Sequence, residues 1–451
     1  LKQKTGRQSD DRFMRGPLEK SRYASDVARE AYAHLKRMEG DGDNDDALIS
    51  QKLESTIALE NPGRGFLFNY QHDLVSRIIT TVTSSPPGNI GLVTLPTGGG
   101  KTRTAVWGVL ELVRSGHLRR TLWLAPSREL LDQAVMAFRS VWQVLPASET
   151  LHLVRCHAGG RPRRGDASVV FMTPQMLHRR SEKNREILRS YELIVFDEAH
   201  HAIAPTFKEP LANHRPLAVS LIGLSATPGR RTEEGTESLV DLFRGRLITS
   251  DALGPEPVKA LQARGVLARL VFRTIDVGKE WPGLVVRRQG EGRPLRELET
   301  DLHRFDAVIA TCLSIAQKEK AIVFAGGIGH ANAIAATLRG QGVPANAISS
   351  ETPVADREKI LQDFSYGLIR VLVNKNILAT GYDCPSVSHV VLGVPIGSPI
   401  LFEQIVGRVS RGPEVGGTRT GYIWQVDDNL HMNGYPASYY RFRDYDWTGR
   451  E

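Results

Sequence analysis

Between residues 89 and 225 the chain alternates short, wholly apolar runs with longer segments of helical period. The runs are NIGLVTL (89–95), TLWLA (121–125), SVVFMT (168–173), ELIVF (192–196) and SLIGLS (220–225). They lack the every-other-residue polarity of a half-exposed strand. That is the pattern of parallel strands covered by helices on both faces. The intervening segments predict the covering helices, for example Thr102 to Arg114, stopped by Gly116. A doubly wound α/β domain is expected over 61–250. The alternation resumes with AIVFAG (321–326), RVLVN (370–374), HVVLGV (389–394) and GYIWQV (421–426). These predict a second α/β domain over 301–430. Residues 251–300 are rich in Gly, Pro and Arg, break the rhythm, and are expected to form a linker or small insertion.

Upstream, Leu18, Val27, Ala31 and Leu35 fall near one face of a predicted helix from Leu18 to Met38. The helix ends at Gly40 and the acidic run DGDNDD. A second helical stretch is expected over Ala47–Leu59, before Asn61-Pro62-Gly63 breaks the chain. Residues 1–60 thus read as an accessory helical segment. The tail, 431–451, is aromatic (Tyr435, Tyr439, Tyr440, Tyr445, Trp447) and without period. A start at Leu1 rather than Met points to further N-terminal sequence.

With 41% hydrophobic and 24% charged residues the chain has the make-up of globular domains. No run approaches the ~20 apolar residues of a membrane span, and the N-terminus lacks the layout of a secretory signal. Cys156, Cys312 and Cys384 are too far apart for a metal knuckle or a disulfide framework. Reduced thiols in a cytoplasmic protein are the expectation. The net charge of +8 and pI of about 9.4 give a mild bias toward polyanionic partners.

The segment LPTGGGKT (95–102) follows a predicted strand and opens a helix, the context of a phosphate loop. Thr97, Gly98, Gly99 and Gly100 would let backbone N–H groups converge on phosphate oxygens. The helix N-terminus would favour the anion. Lys101 would neutralise the β- and γ-phosphates of ATP, and the Thr102 hydroxyl would bind Mg²⁺. ELIVFDEAHH (192–201) is an apolar strand ending in two acids. Beside a phosphate loop, Asp197 reads as a Mg²⁺ ligand through water, and Glu198 as the base for an attacking water. His200 reads as a coupling residue, and His201 stays unassigned.

These residues, in this order, resemble the superfamily 2 helicases of the DEAD/DEAH-box kind, over residues 66–428. That resemblance implies two tandem RecA-like doubly wound parallel-sheet domains with a nucleotide cleft between them. Leu95 stands where the commonest phosphate-loop motif has Gly, a departure that suits the helicase version. Gln71, in FNYQHDLVSRI, resembles the glutamine that reads adenine. APSRELLDQ (125–133) and FMTPQML (171–177) look like backbone-contacting motifs, through Ser127, Arg128, Thr173 and Pro174. SATP (225–228) resembles the coupling motif, through Ser225 and Thr227. In the second domain, IVFAGGIGHA (322–331) corresponds to a strand-gripping loop. LATGYDCP (378–385) resembles the motif facing both nucleic acid and ATP, with Thr380 on the strand and Gly381 and Asp383 toward nucleotide. QIVGRVSRGP (404–413) resembles the arginine motif, with Gln404, Gly407, Arg408 and Arg411. The wording is closest to helicase subunits of restriction and phage-defence systems and related repair helicases. DNA is thereby favoured over RNA, and a partner nuclease or other defence subunit is implied.

Arg408 and Arg411 are predicted to lie on one helix, three apart, and so to share a face. Their planar cations suit phosphate oxygens, but reach the first domain's loop only if the two domains close over ATP. Hydrolysis would then release the cleft. Two readings remain open from sequence: a nucleic-acid-dependent ATPase that translocates or unwinds, and an ATP-switched module that regulates a partner. The basic clusters at 163–167, 178–185 and 285–293 read as solvated faces that could add to nucleic-acid binding.

Overall fold

The computed structural model describes residues 67–426, apart from 146–149, 157–166, 180–187, 205–218, 230–232, 278–297, 299, 376, 379–383 and 397–398. The accessory helices expected in 1–60 and the aromatic tail lie outside the described residues, and so, wholly or largely, do the three basic clusters.

The first lobe comprises α1 (Asn69–Thr83), β1 (Ile90–Thr94), α2 (Lys101–Arg114), β2 (Arg120–Leu124), α3 (Arg128–Trp142), β3 (His152–Arg155), β4 (Ser168–Met172), α4 (Pro174–His178), β5 (Leu193–Asp197), β6 (Ser220–Ser225), α5 (Glu233–Leu242) and β7 (Leu247–Ile248). Its strands lie in the order β3-β4-β2-β5-β6-β1-β7, and every pairing is parallel. Strands β1, β4, β5 and β6 are buried along their whole length. One face packs on Leu74, Ile78, Val106, Leu110 and Phe138 of α1, α2 and α3. The other packs on Leu239 and Phe243, from α5 and just beyond it.

The chain continues through α6 (Pro257–Ala263) into the second lobe. That lobe comprises β8 (Arg269–Thr274), α7 (Leu302–Ser314), β9 (Lys320–Phe324), α8 (Ile328–Gly340), β10 (Ala345–Ile348), α9 (Val354–Tyr366), β11 (Val371–Asn374), β12 (Val387–Leu392), α10 (Pro399–Val406) and β13 (Thr420–Gln425). The order is β10-β11-β9-β12-β13-β8, again all parallel. Two tandem doubly wound lobes are therefore present, as expected. Among the described residues no helix is long and apolar enough to cross a membrane.

Two differences from the sequence reading have one physical cause. Strands β3, β7, β8 and β10 were not anticipated, and they are the four edges of the two sheets. Edge strands are covered less completely, so HLVR, RLVFRT and ANAI do not form the unbroken apolar runs that mark central strands. The expected linker of 251–300 is accordingly ordered over its first half. Leu253, Val258, Leu261, Val266 and Leu267 join the first lobe's core, and β8 pairs with β13 in the second sheet.

Gly223 sits mid-strand in β6, where an added methyl would collide with the buried ring of Phe243 and lie 2.8 Å from Leu92 Cδ1. Gly223→Ala should destabilise the protein by about 1–3 kcal/mol through overpacking. The check is a lower urea midpoint at unchanged m-value; an unchanged midpoint would show that the Phe243 ring yields freely.

Candidate functional site

Three adjacent strands of the first lobe end at one level. Thr94 of β1 pairs with Ser225 of β6, and Asp197 of β5 pairs with the neighbouring Leu224. The loop after β1, the acids after β5 and the SAT turn after β6 thus share one rim of the sheet, the carboxyl edge where α/β folds place ligands.

Gly98 and Gly100 adopt left-handed φ values of 92° and 86°, which only glycine takes without strain. Gly99 N donates to Pro96 O at 2.9 Å to close the turn. Gly100 is the N-cap of α2, a 14-residue helix without a side-chain cap. An uncapped helix start with Lys101 as its first residue suits an oxyanion. Lys101 Nζ donates to Leu95 O at 3.3 Å. Burial holds the Lys101 ammonium below its ordinary pKa, while Glu198 and Asp197 pull it upward.

Thr102 Oγ1 donates to Asp197 Oδ2 at 3.2 Å. A hydroxyl and a carboxylate side by side are the hard oxygen donors that Mg²⁺ takes, so these residues fit the ion. Asp197 is buried, and burial, then the nearby Glu198, push its pKa up to about 7 against the pull of Lys101. Glu198 follows at φ 52°, a left-handed conformation costly for a side-chain-bearing residue and concentrated at functional sites. Its N–H donates to Asp197 Oδ1 at 3.0 Å, and its carbonyl accepts from His201 N at 2.9 Å. His200 Nδ1 lies 3.4 Å from both Glu198 Oε2 and Ser225 Oγ. Ser225 Oγ donates to Thr227 O at 2.7 Å and accepts from Thr227 N at 3.2 Å. His200, Ser225 and Thr227 therefore form one buried chain ending at the Glu198 carboxylate.

Gln71 lies under the phosphate loop. Its Nε2 donates to Gly99 O at 3.4 Å, and its Oε1 accepts from Phe68 N at 3.0 Å. Tyr70, its neighbour, donates its hydroxyl to the same Gly99 carbonyl at 2.9 Å. The sequence reading missed Tyr70; a buried tyrosine on the core face of a helix gives no separate signal. Ser127 and Thr173 are the N-caps of α3 and α4, accepting from Leu130 N and Met176 N, each at 3.3 Å. Arg128 beside Ser127 is exposed, and Pro174 is the buried first residue of α4. These four residues sit on the same carboxyl edge, after β2 and β4. Thr380, Gly381 and Asp383 lie outside the described residues.

The second lobe meets the phosphate loop directly. A methyl group on Gly407 would collide with Thr97 Cγ2. Ser410 Oγ donates to Thr97 O at 3.3 Å. A methyl on Gly98 would fall 2.7 Å from Arg411 Nη1. The shared helix face expected for Arg408 and Arg411 is not formed. Helix α10 ends at Val406, a tight turn covers Gly407–Val409, and Arg411 is extended, in an antiparallel bridge with Leu267. Pro413 keeps only its predecessor out of helical geometry, and Gly412 is extended at φ −87°, ψ 173°. Arg408 Nε turns back to Gln404 O at 3.2 Å. Ser410, also missed, was visible only as the polar residue between two arginines.

Residues 65–230 match the family described as "Type III restriction enzyme, res subunit", and residues 303–412 match "Helicase conserved C-terminal domain". The chain is 23% identical over 364 residues to the "Putative ATP-dependent helicase IRC3" of Saccharomyces cerevisiae, covering 76% of this chain and 49% of that protein. It is similar in fold to the "ATP-dependent Type ISP restriction-modification enzyme LlaBIII bound to DNA", with TM-score 0.57, 17% identity, and coverage of 80% of this chain and 27% of that one. It is also similar to "S. cerevisiae Dbp5 bound to RNA and ADP BeF3", with TM-score 0.55, 16% identity, and coverage of 82% and 87%. The chain thus spans about half the length of the yeast helicase and a smaller share of the restriction enzyme.

The raised Asp197 pKa has a consequence for stability. Between 3.8 and about 7 the folded state keeps a proton that the unfolded chain has released, so stability falls as pH rises through that window. Asp197→Asn removes this slope. In EDTA and without nucleotide, its Tm should exceed that of the wild type by a margin that grows from pH 4 to 7 and then levels. Parallel Tm curves would refute the buried-carboxylate account.

Proposed function

The chain belongs to the superfamily 2 helicases, and on that premise we propose that it hydrolyses ATP at the seam between its lobes to move along, or unwind, DNA. The observation that carries this reading is the meeting of Arg411 with Gly98 of the phosphate loop. A guanidinium and a lysine brought to one glycine turn from opposite lobes suit a γ-phosphate held between them.

In this reading the loop amides and Lys101 hold the β- and γ-phosphates. Thr102 and Asp197 would hold Mg²⁺, which would supply positive charge against that of the phosphates. Glu198, fixed by its strained backbone, takes the proton from water as the water oxygen attacks the γ-phosphorus and ADP departs. Arg411 stabilises charge on the transferred group, and Arg408 and Gln404 support the same loop. Gln71 takes adenine with the amide hydrogen and lone pair not used by Gly99 and Phe68. His200, Ser225 and Thr227 carry the state of Glu198 to the SAT turn, and thence to the strand-facing edge.

Ser127, Arg128, Thr173 and Thr380 are the proposed strand contacts, with donors suited to phosphates and not to base edges. DNA is favoured by the restriction-enzyme family match and by the DNA-bound LlaBIII; Dbp5 is described bound to RNA. The same match supports a motor working beside a partner nuclease or other defence subunit, in the cytoplasm.

The decisive experiment compares ATP turnover with single- and double-stranded DNA and RNA, alongside strand displacement. DNA-stimulated turnover with movement is expected. Stimulation by RNA alone would overturn the DNA assignment, and turnover without movement would favour an ATP-operated switch. Glu198→Gln should retain ATP binding and lose hydrolysis; brisk turnover would remove Glu198 from its role. Arg411→Ala should cut kcat by about 10³ while sparing strand affinity, and an unchanged kcat would take Arg411 out of the reaction.

A further inference from the structure

Arg411 is presented to the phosphate loop by a small antiparallel ladder. Ala268 N donates to Ser410 O at 2.9 Å, and Gly412 N donates to Val266 O at 2.9 Å, flanking the bridge between Leu267 and Arg411. Glu414 N extends the contact to Gly265 O at 3.0 Å. On the other side, Thr418 N donates to Arg411 O at 3.0 Å and Gly417 N to Gly412 O at 2.9 Å. Arg411 is therefore held between residues 266–268 on one side and 417–418 on the other. The approach is too close for side chains: a methyl on Gly412 would collide with the Gly265 carbonyl, and one on Gly417 with the Arg411 carbonyl.

The partner segment 266–268 is not anchored where its sequence continues. It runs on into β8 of the second sheet, yet the Val266 and Leu267 side chains are buried in the first lobe's core, with Val93, Leu95 and Leu261. Residues directly opposite in an antiparallel pair project to the same side. Leu267 and Arg411 accordingly converge on one point: a methyl on Gly98 would lie 2.7 Å from Leu267 Cδ2 and 2.7 Å from Arg411 Nη1.

We propose that Leu267 is a positioning residue for Arg411. It acts as an apolar stop that is seated in the first lobe, rests on Gly98, and fixes through the ladder how far the guanidinium extends over the phosphate loop. The arginine belongs to the second lobe by sequence, but its height is set by the first. This rests on the reading of Arg411 as a transition-state contact.

The test measures kcat and KM for ATP, at saturating strand, for Leu267→Ala, Leu267→Met, Gly412→Ala, Arg411→Ala and the Leu267→Ala/Arg411→Ala double variant. Leu267→Ala should lower kcat by about tenfold to hundredfold, the cost of misplacing a reacting group by an ångström, with a smaller change in KM. Leu267→Met should restore most of the loss. Gly412→Ala, which strains the ladder while leaving the core side chain in place, should reproduce the kcat defect even if Leu267→Ala folds poorly. The double variant should be no slower than Arg411→Ala alone. Losses that multiply in the double variant, or wild-type kcat in Leu267→Ala and Gly412→Ala, would overturn the proposal. An unaffected kcat in Arg411→Ala would instead remove the reading on which it rests.

Discussion

The lobes approach each other at points where one of the two facing residues has no room for a β-carbon. Gly98 faces Arg411, Ser410 and Leu267, while Gly407 lies against Thr97. Contact at this range makes the phosphate loop a shared element and not a property of the first lobe alone. Any displacement of residues 97–100 acts directly on the turn bearing Arg411. Any movement of that turn acts back on the loop through the Arg411, Ser410 and Thr97 side chains.

The same closeness concentrates charge. Lys101 stands near Asp197, Glu198 and Arg411, and burial acts against the ionised forms of Lys101 and Asp197. Asp197 is thereby pushed toward its protonated form, and Glu198 is held with a left-handed backbone. Groups kept in this condition need strong support from around them. That support comes from strands β1, β5 and β6, buried end to end. A well-packed sheet rim holds an unfavourable constellation in place, as expected where stability yields to chemistry.

How much was legible in the sequence follows from what covers each residue. Central strands are largely apolar on both faces, so β1, β2, β4, β5, β6, β9, β11 and β12 could be read from their unbroken runs, and β13, buried at every other residue, from its GYIWQV run. The edge strands could not, because partial exposure leaves them looking like loop. The phosphate loop and the acid pair were legible because their chemistry forces particular residues at particular spacings. Arg411 was singled out, but its backbone was misjudged: a three-residue spacing suggested helix, while the helix ends at Val406 and a tight turn follows. Leu267, Tyr70 and Ser410 were invisible for a different reason. A leucine, a core tyrosine and a serine carry no signal until folding shows what they touch.

The caps at Ser127 and Thr173 bear on what kind of polymer this rim can hold. Each hydroxyl oxygen already accepts a backbone N–H from its own helix, which leaves its hydrogen and one lone pair for a further partner. Under the proposed function, these hydroxyl hydrogens and the exposed Arg128 guanidinium would favour the negative oxygens of a strand backbone. A strand mimic with a neutral amide backbone and the same bases should slip from such a surface, however well its bases were matched.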